Sequence, residues 1–233
     1  MRIKAFSFDI RRLLRDQILR IFLFVPLIAL VAIKLFLIFG EPRLSELTGF
    51  LMAPYHGYIL TICLTLSPYL LGTVTAFLMI DERDESIYEL MSVMPIGYKG
   101  YIASRLLIPF ILCIPYTLLS CFVLNLVDLS VSKVIIIALL SGVQSIVVTL
   151  LMFSLADNKV QGLTYSKGLN IFVLAAVSDL VNLRWISNIS AFIPFYWTTQ
   201  LLIYPLNFRS LSLAMIVHLA WLYLALSLVR ARR

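Results

Sequence analysis

Asp81 and Asp84 stand three residues apart in DERDESIYELMSVMPIGYKGYIASR, the run from Asp81 to Arg105. On a helix this D-x-x-D spacing puts two carboxylates on one face, where they could hold magnesium against a pyrophosphate, as prenyl transfer requires. That chemistry needs a second acidic motif on another helix, and Asp128, Asp157 and Asp179 occur singly. The same run offers a different chemistry. If Asp81–Met94 is helical, at about 100° per residue Ile87, Leu90, Met91 and Met94 gather on one side while Glu82, Glu85 and Glu89 gather opposite. Carboxylates set against an apolar stripe suit a protein partner that packs on the stripe and meets the acids with basic groups. A helix lying on anionic lipid would carry Lys and Arg there instead. Pro95 and Gly97 end the segment.

Other reactive arrangements are missing from the chain. It has no G-x-x-x-x-G-K-[ST] loop to cradle nucleotide phosphates. Cys63, Cys113 and Cys121 have no metal-site spacing and read as packing residues.

The acidic run lies between stretches too apolar for water. With 61% hydrophobic residues, 13% charged and a mean hydropathy of +0.99 over 233 residues, the chain cannot hide its hydrocarbon in one soluble core. It reads as an all-α integral membrane protein. Six apolar runs approach the roughly 20 residues that span a bilayer as a helix: Ile21–Phe39, Gly57–Ile80, Ala103–Leu126, Val134–Leu155, Leu169–Leu183 and Leu211–Val229. The first follows a charged stretch with no small-residue cleavage site and reads as a retained span.

Positive residues set the orientation, because cytoplasmic segments keep the excess of Lys and Arg. With the N-terminus inside, only Lys34, Arg43, Lys133, Arg184 and Arg209 of the nineteen basic residues fall outside or near outer ends. Both termini and the acidic run are then cytoplasmic, in the cell (inner) membrane. The net charge of +7 is spread over span ends, which points to lipid head groups rather than nucleic acid.

The whole chain reads as a single transmembrane domain, 1–233. Residues 1–20 read as an amphipathic interfacial helix, with Ile3, Phe6, Ile10, Leu13 and Leu14 opposite Lys4, Arg11, Arg12 and Arg15. The outer stretch GEPRLSELTGFLMAPYHGY carries turn signals and no compact domain. ADNKVQGLTYSKG is a polar cytoplasmic connection between the fourth and fifth spans. Residues 184–210, apolar and aromatic but broken by Pro194 and Pro205, read as re-entrant or interfacial helices at the outer leaflet. Within the spans, Lys34 can snorkel to the outer interface and Asp179 can reach solvent. His218, Gln144, Ser145 and Thr149 read as hydrogen-bonded packing groups. Pro68 with Gly72, and Pro109 with Pro115, mark bends in the second and third spans.

The second span running into the acidic helix, the pattern E..ES.YEL....P, the following Y…R and the Asn-Lys-Val-Gln-Gly stretch resemble the ABC transporter type 2 permeases. The likeness is to small six-span bacterial permeases of the drug and antibiotic export kind, and FIPFYW sits where these often carry a Pro-aromatic stretch. The resemblance implies a coupling helix over 81–95, with Glu82, Glu85, Ile87, Leu90, Met91 and Pro95 as the contact for a cytoplasmic ABC ATPase dimer. It also implies a second permease subunit, a copy of this chain or a different one. No cofactor belongs to the chain itself, because ATP and magnesium sit in the ATPase. The function expected is export of an amphipathic compound such as a drug, peptide antibiotic or lipid, without enzymatic activity of the chain alone. The alternatives are the Asp81/Asp84 prenyl-transfer enzyme and a membrane anchor that recruits a partner without transporting.

Overall fold

A computed structural model describes residues 17–86 and 97–232. Apart from the helical backbone of 17–20, the expected surface helix over 1–20 lies outside them, and so do Ile87, Leu90, Met91 and Pro95. The described residues are helical, with no strand among them. The long helices are α1 (Gln17–Leu35), α3 (His56–Asp84), α4 (Gly97–Leu124), α5 (Val131–Leu155), α6 (Lys159–Ala176) and α9 (Phe208–Ala231). The short α2 (Glu41–Thr48) follows α1 through a π-turn at Phe36–Gly40, and α7 (Arg184–Ser190) and α8 (Pro194–Ile203) precede α9.

Apolar length sorts these helices. Among the described residues five are long and apolar enough to cross a membrane: Leu23–Thr48, Ala53–Asp84, Gly100–Leu124, Val131–Leu155 and Phe208–Ala231. The fifth expected span, Leu169–Leu183, is placed differently. Helix begins ten residues earlier, at Lys159, and stops at Ala176, after which Ser178–Val181 form a 3-10 turn. Most of the stretch read as a polar connection is therefore the first half of α6, whose Lys159, Gln161, Thr164, Lys167 and Asn170 keep it out of the apolar set. Asn158 starts this helix by accepting from the Gln161 amide N–H at 3.0 Å, while the Gln161 side chain accepts from the Asp157 amide at 2.9 Å. Reciprocal bonding of this kind satisfies amides that a first turn leaves without partners, so the Asn-Lys-Val-Gln spacing has a local structural cause. The stretch GEPRLSELTGFLMAPYHGY before α3 holds a helix where the sequence carries turn signals, since α2 occupies Glu41–Thr48 and stops at Gly49 in the left-handed conformation.

Helix α3 is the centre of the bundle. Its apolar window is 89% buried, against 11% for the α1 span and 22% for α9, and it packs on α1, α4, α5, α6 and α8. Close approach to α5 depends on Gly72: a Cβ there would lie 2.7 Å from the Ser145 carbonyl oxygen and 2.9 Å from Val148 Cβ. The Thr149 hydroxyl, bonded to the Gly72 carbonyl at 3.0 Å, ties the two backbones at this crossing. At 29 residues α3 is about 43 Å long, more than a hydrocarbon core of about 30 Å needs.

One end of the bundle gathers the close of α3, the start of α4, the α5–α6 turn and the close of α9, tied by ion pairs and arginine bonds to carbonyls. The opposite end joins α1 to α4 through Lys34 and the Leu124 carbonyl at 3.5 Å, and α5 to α8 through Lys133 and the Tyr204 carbonyl at 2.8 Å. His56 and Glu41, 3.0 Å apart, link α3 to α2 there.

Candidate functional site

The charged end is built on the last turn of α3, where Asp81, Glu82 and Arg83 point to different neighbours. Glu82 turns inward and is fully buried. Arg105, one helix away, donates Nε to Oε2 at 2.8 Å and Nη2 to Oε1 at 2.5 Å, and the Tyr101 hydroxyl donates to Oε2 at 2.6 Å. The forked geometry satisfies both carboxylate oxygens, which is what allows a charge to sit where water cannot reach. Arg105 also lies over the Tyr101 ring. Asp81 pairs with Lys159 at the start of α6 at 2.7 Å.

Arg83 turns to the close of α5, donating to the Ala156 carbonyl at 2.6 Å and the Phe153 carbonyl at 3.3 Å. Arg232, from the end of α9, donates to the Ser154 and Ala156 carbonyls at 2.6 and 2.9 Å and pairs with Asp157. The last carbonyls of a helix have no partner within it and carry the negative end of its dipole, so two guanidinium groups from different helices are a strong way to hold the terminus. The pattern of bonds joins α3, α4, α5, α6 and α9 at one level.

From this hub the chain leaves toward the connection between α3 and α4. Asp81–Asp84, the start of the expected Asp81–Met94 helix, form the final turn of α3, and the rest of that stretch from Ile87 lies outside the described residues. Helix stops at Asp84, the Glu85 amide bonds back to the Asp81 carbonyl at 2.9 Å, and Ser86 adopts a left-handed φ of 56°. A left-handed residue there takes the backbone out of the course of α3. Glu85 and Asp84 are exposed while Glu82 is interior. Helical spacing alone identifies three outward carboxylates; the partner it misses is Arg105, which closes the Y…R pattern. Among the described residues no group of three His, Cys, Asp or Glu stands close enough to hold a metal.

A second polar arrangement crosses the middle of the bundle. Gln144 Nε2 on α5 lies 3.3 Å from the Pro194 carbonyl and 2.8 Å from the Thr198 hydroxyl, both on α8, and 3.0 Å from His218 Nε2 on α9. His218 Nδ1 faces the Ala214 carbonyl at 2.7 Å. A carbonyl only accepts, so Nδ1 carries the proton and Nε2 accepts from Gln144. Asp179, after α6, accepts from Gln200 of α8 at 2.5 Å, and Thr199 of α8 bonds the Ala176 carbonyl. Trp197 donates to the Ala191 carbonyl at 2.9 Å and closes the turn between α7 and α8. Sequence marks Gln144, Asp179 and His218 apart from one another; the attachment of Gln144 and Asp179 to α8, and of His218 to Gln144, comes only with the fold.

Apolar helices around a buried central one, cross-linked by charge at one end and by amides at mid-height, define an all-helical multi-pass membrane protein. The chain belongs to the family described as fluoroquinolones export permease protein Rv2686c-like, which matches residues 9–229. It is 28% identical to the fluoroquinolones export permease protein Rv2686c of Mycobacterium tuberculosis strain H37Rv over 199 residues, 82% of this chain and 77% of that protein. The fluoroquinolones export permease protein MT2760 of strain CDC 1551 matches to the same extent. No solved structure matches the chain.

Proposed function

We propose that this chain is the membrane subunit of an ATP-driven exporter whose cargo is an amphipathic drug of the fluoroquinolone type. Family membership supports the transport role. The observation that carries the coupling mechanism is the hub at the charged end, where the last turn of α3 is tied to α4, α6 and α5, and α9 is tied in turn to the end of α5. A partner that pushed on residues 84–96 would act on the bundle as a whole, because Glu82, Asp81 and Arg83 pass the displacement to α4, α6 and α5.

In this reading the charged end faces the cytoplasm, where a dimer of ABC ATPases grips the connection through Glu85, Ile87, Leu90, Met91 and Pro95. Glu82 serves inside the subunit as the anchor for that lever. Helix α6 is the fifth of six crossings, since its 18 residues cover about 27 Å, and both termini are cytoplasmic. The α7–α8 pair enters the membrane from the outer side and returns, its polar backbone met by Gln144 and Trp221. A second permease subunit completes the pathway. Nucleotide binding draws the ATPases together and shifts the paired subunits between arrangements of different drug affinity.

The test is reconstitution. The tagged chain, isolated with its ATPase and placed in proteoliposomes, should move norfloxacin only when ATP is supplied. Glu85→Lys combined with Leu90→Asp should release the ATPase and end transport while leaving the thermal unfolding of the permease unchanged. Retention of ATPase and transport by that variant would overturn the coupling surface. ATP-independent movement would overturn the exporter.

A further inference from the structure

Most outward surfaces of the long helices are what lipid requires. Phe24, Ile28 and Val31 of α1, Leu107, Ile111 and Phe122 of α4, and Ile216, Leu219 and Tyr223 of α9 are exposed and apolar or aromatic. Helix α6 breaks the rule. Its inner face packs Gly162 against Phe77 and Ile80, and Phe172 against Phe195, while Thr164, Lys167 and Asn170 are exposed beside Leu163, Ile171 and Leu174. Lys167 lies about 12 Å along the helix from Lys159. The backbone carbonyl of its chain neighbour Ser166 accepts from the Tyr69 hydroxyl in the middle of α3 at 2.6 Å, so the root of the Lys167 side chain is set well inside the bundle's length. A cation at such depth is costly against hydrocarbon and marks a site by default.

One helical turn above Lys167, on the same side, α6 becomes the wall of a groove. The groove has a volume of about 360 Å³ and is closed opposite by α7, with Ile171, Leu174, Trp185 and Ile189 among its lining. That volume falls in the range of drug-sized sites, which are mostly apolar with a few placed polar groups. Ser178 stands in the groove wall, 6% exposed, with its hydroxyl oxygen buried behind the apolar lining and without a hydrogen-bond partner among the described residues. Gly168, beside Lys167, has open space where a side chain would stand.

We propose that the α6–α7 groove binds the transported compound, holding a flat aromatic body against Ile171, Leu174 and Trp185 while Lys167 meets a carboxylate at its lower mouth. The inference rests on the drug-export reading for the class of ligand, and it adds the place and the charge selectivity. An amphipathic aromatic acid has the two parts in the required order, an apolar plate and an anionic edge. A lysine that snorkels to lipid phosphate would show no preference between a free acid and its ester.

Calorimetric titration of the purified chain in nanodiscs with norfloxacin and with norfloxacin methyl ester separates the two. The chain should bind the free acid about tenfold more tightly than the ester, as one charge-assisted contact allows. Lys167→Gln should bring the ratio close to one by weakening the acid alone, and Lys167→Arg should retain most of it. Ile171→Trp, which fills the groove, should abolish binding of both compounds with the unfolding midpoint unchanged. Equal weakening of acid and ester in Lys167→Gln, a preserved ratio in that variant, undiminished binding by Ile171→Trp, or no binding of either compound by the unaltered chain would each overturn the proposal. Because the titration uses no nucleotide, loss of ATP-driven transport with the binding pattern intact would count against the export reading and leave the groove standing.

Discussion

At the scale of single residues, Glu82 and Glu85 show how three positions along a helix separate two kinds of carboxylate. Glu82 is fully buried and its oxygens are met by Arg105 and Tyr101, whereas Glu85 is exposed at the end of α3. Removing Arg105 strands a charge inside the protein, a change that costs about 3–5 kcal/mol, while replacing both partners by apolar groups of similar size is often neutral. Arg105→Ala should therefore lower the unfolding midpoint in detergent sharply, and Glu82→Leu with Arg105→Met should recover most of the loss. Equal stability of Arg105→Ala and the unaltered protein would show that the pair does not hold the end of α3. The same logic explains why Gln144 is legible only in part. An amide in an apolar run must find a partner, but which partner depends on Pro194, Thr198 and His218 being brought to it by other helices.

At the scale of elements, the contact of α3 with α5 decides how tightly the bundle closes. Two glycines make the point by contrast. A methyl group on Gly72 would press on the Ser145 carbonyl oxygen at 2.7 Å, whereas one on Gly168 meets nothing within 4 Å. Alanine gains about 1 kcal/mol over glycine in a helix interior, and overpacking against backbone costs about 1–3 kcal/mol. Gly72→Ala should lower the unfolding midpoint and Gly168→Ala should raise it or leave it in place, so one substitution has opposite signs on two helices. The spans over α1, α3, α4, α5 and α9 are readable because long apolar runs answer to the bilayer directly. The start of α6 reads ten residues late because its polar face dilutes the apolar signal, and the burial of Gly162 and Ser166 against α3 is a property of the neighbours.

At the scale of the whole molecule, the ion pairs and arginine caps of one end and the lysine-to-carbonyl contacts of the other divide the surface into two poles. With cysteines removed at positions 63, 113 and 121, Glu85→Cys and Asn207→Cys should label from opposite sides of the membrane, and Arg230→Cys from the same side as Glu85→Cys. Labelling of Glu85→Cys and Arg230→Cys from different faces would refute six crossings. What the sequence by itself determined was the class: hydrocarbon in runs of bilayer length, basic residues crowded to one side, and an acidic segment between two spans all follow from local composition and from the solvent the chain must meet. What only the tertiary structure decided was direction. It turned Glu82 inward to Arg105, gathered Gln144, Thr198 and His218 together, ended α3 just before a left-handed Ser86, and left Lys167 exposed one helical turn before the apolar groove that starts at Ile171. Side-chain pattern along one helix records which residues share a face, but whether that face meets lipid, protein or a ligand is set by helices distant in the chain, whose packing no local spacing encodes.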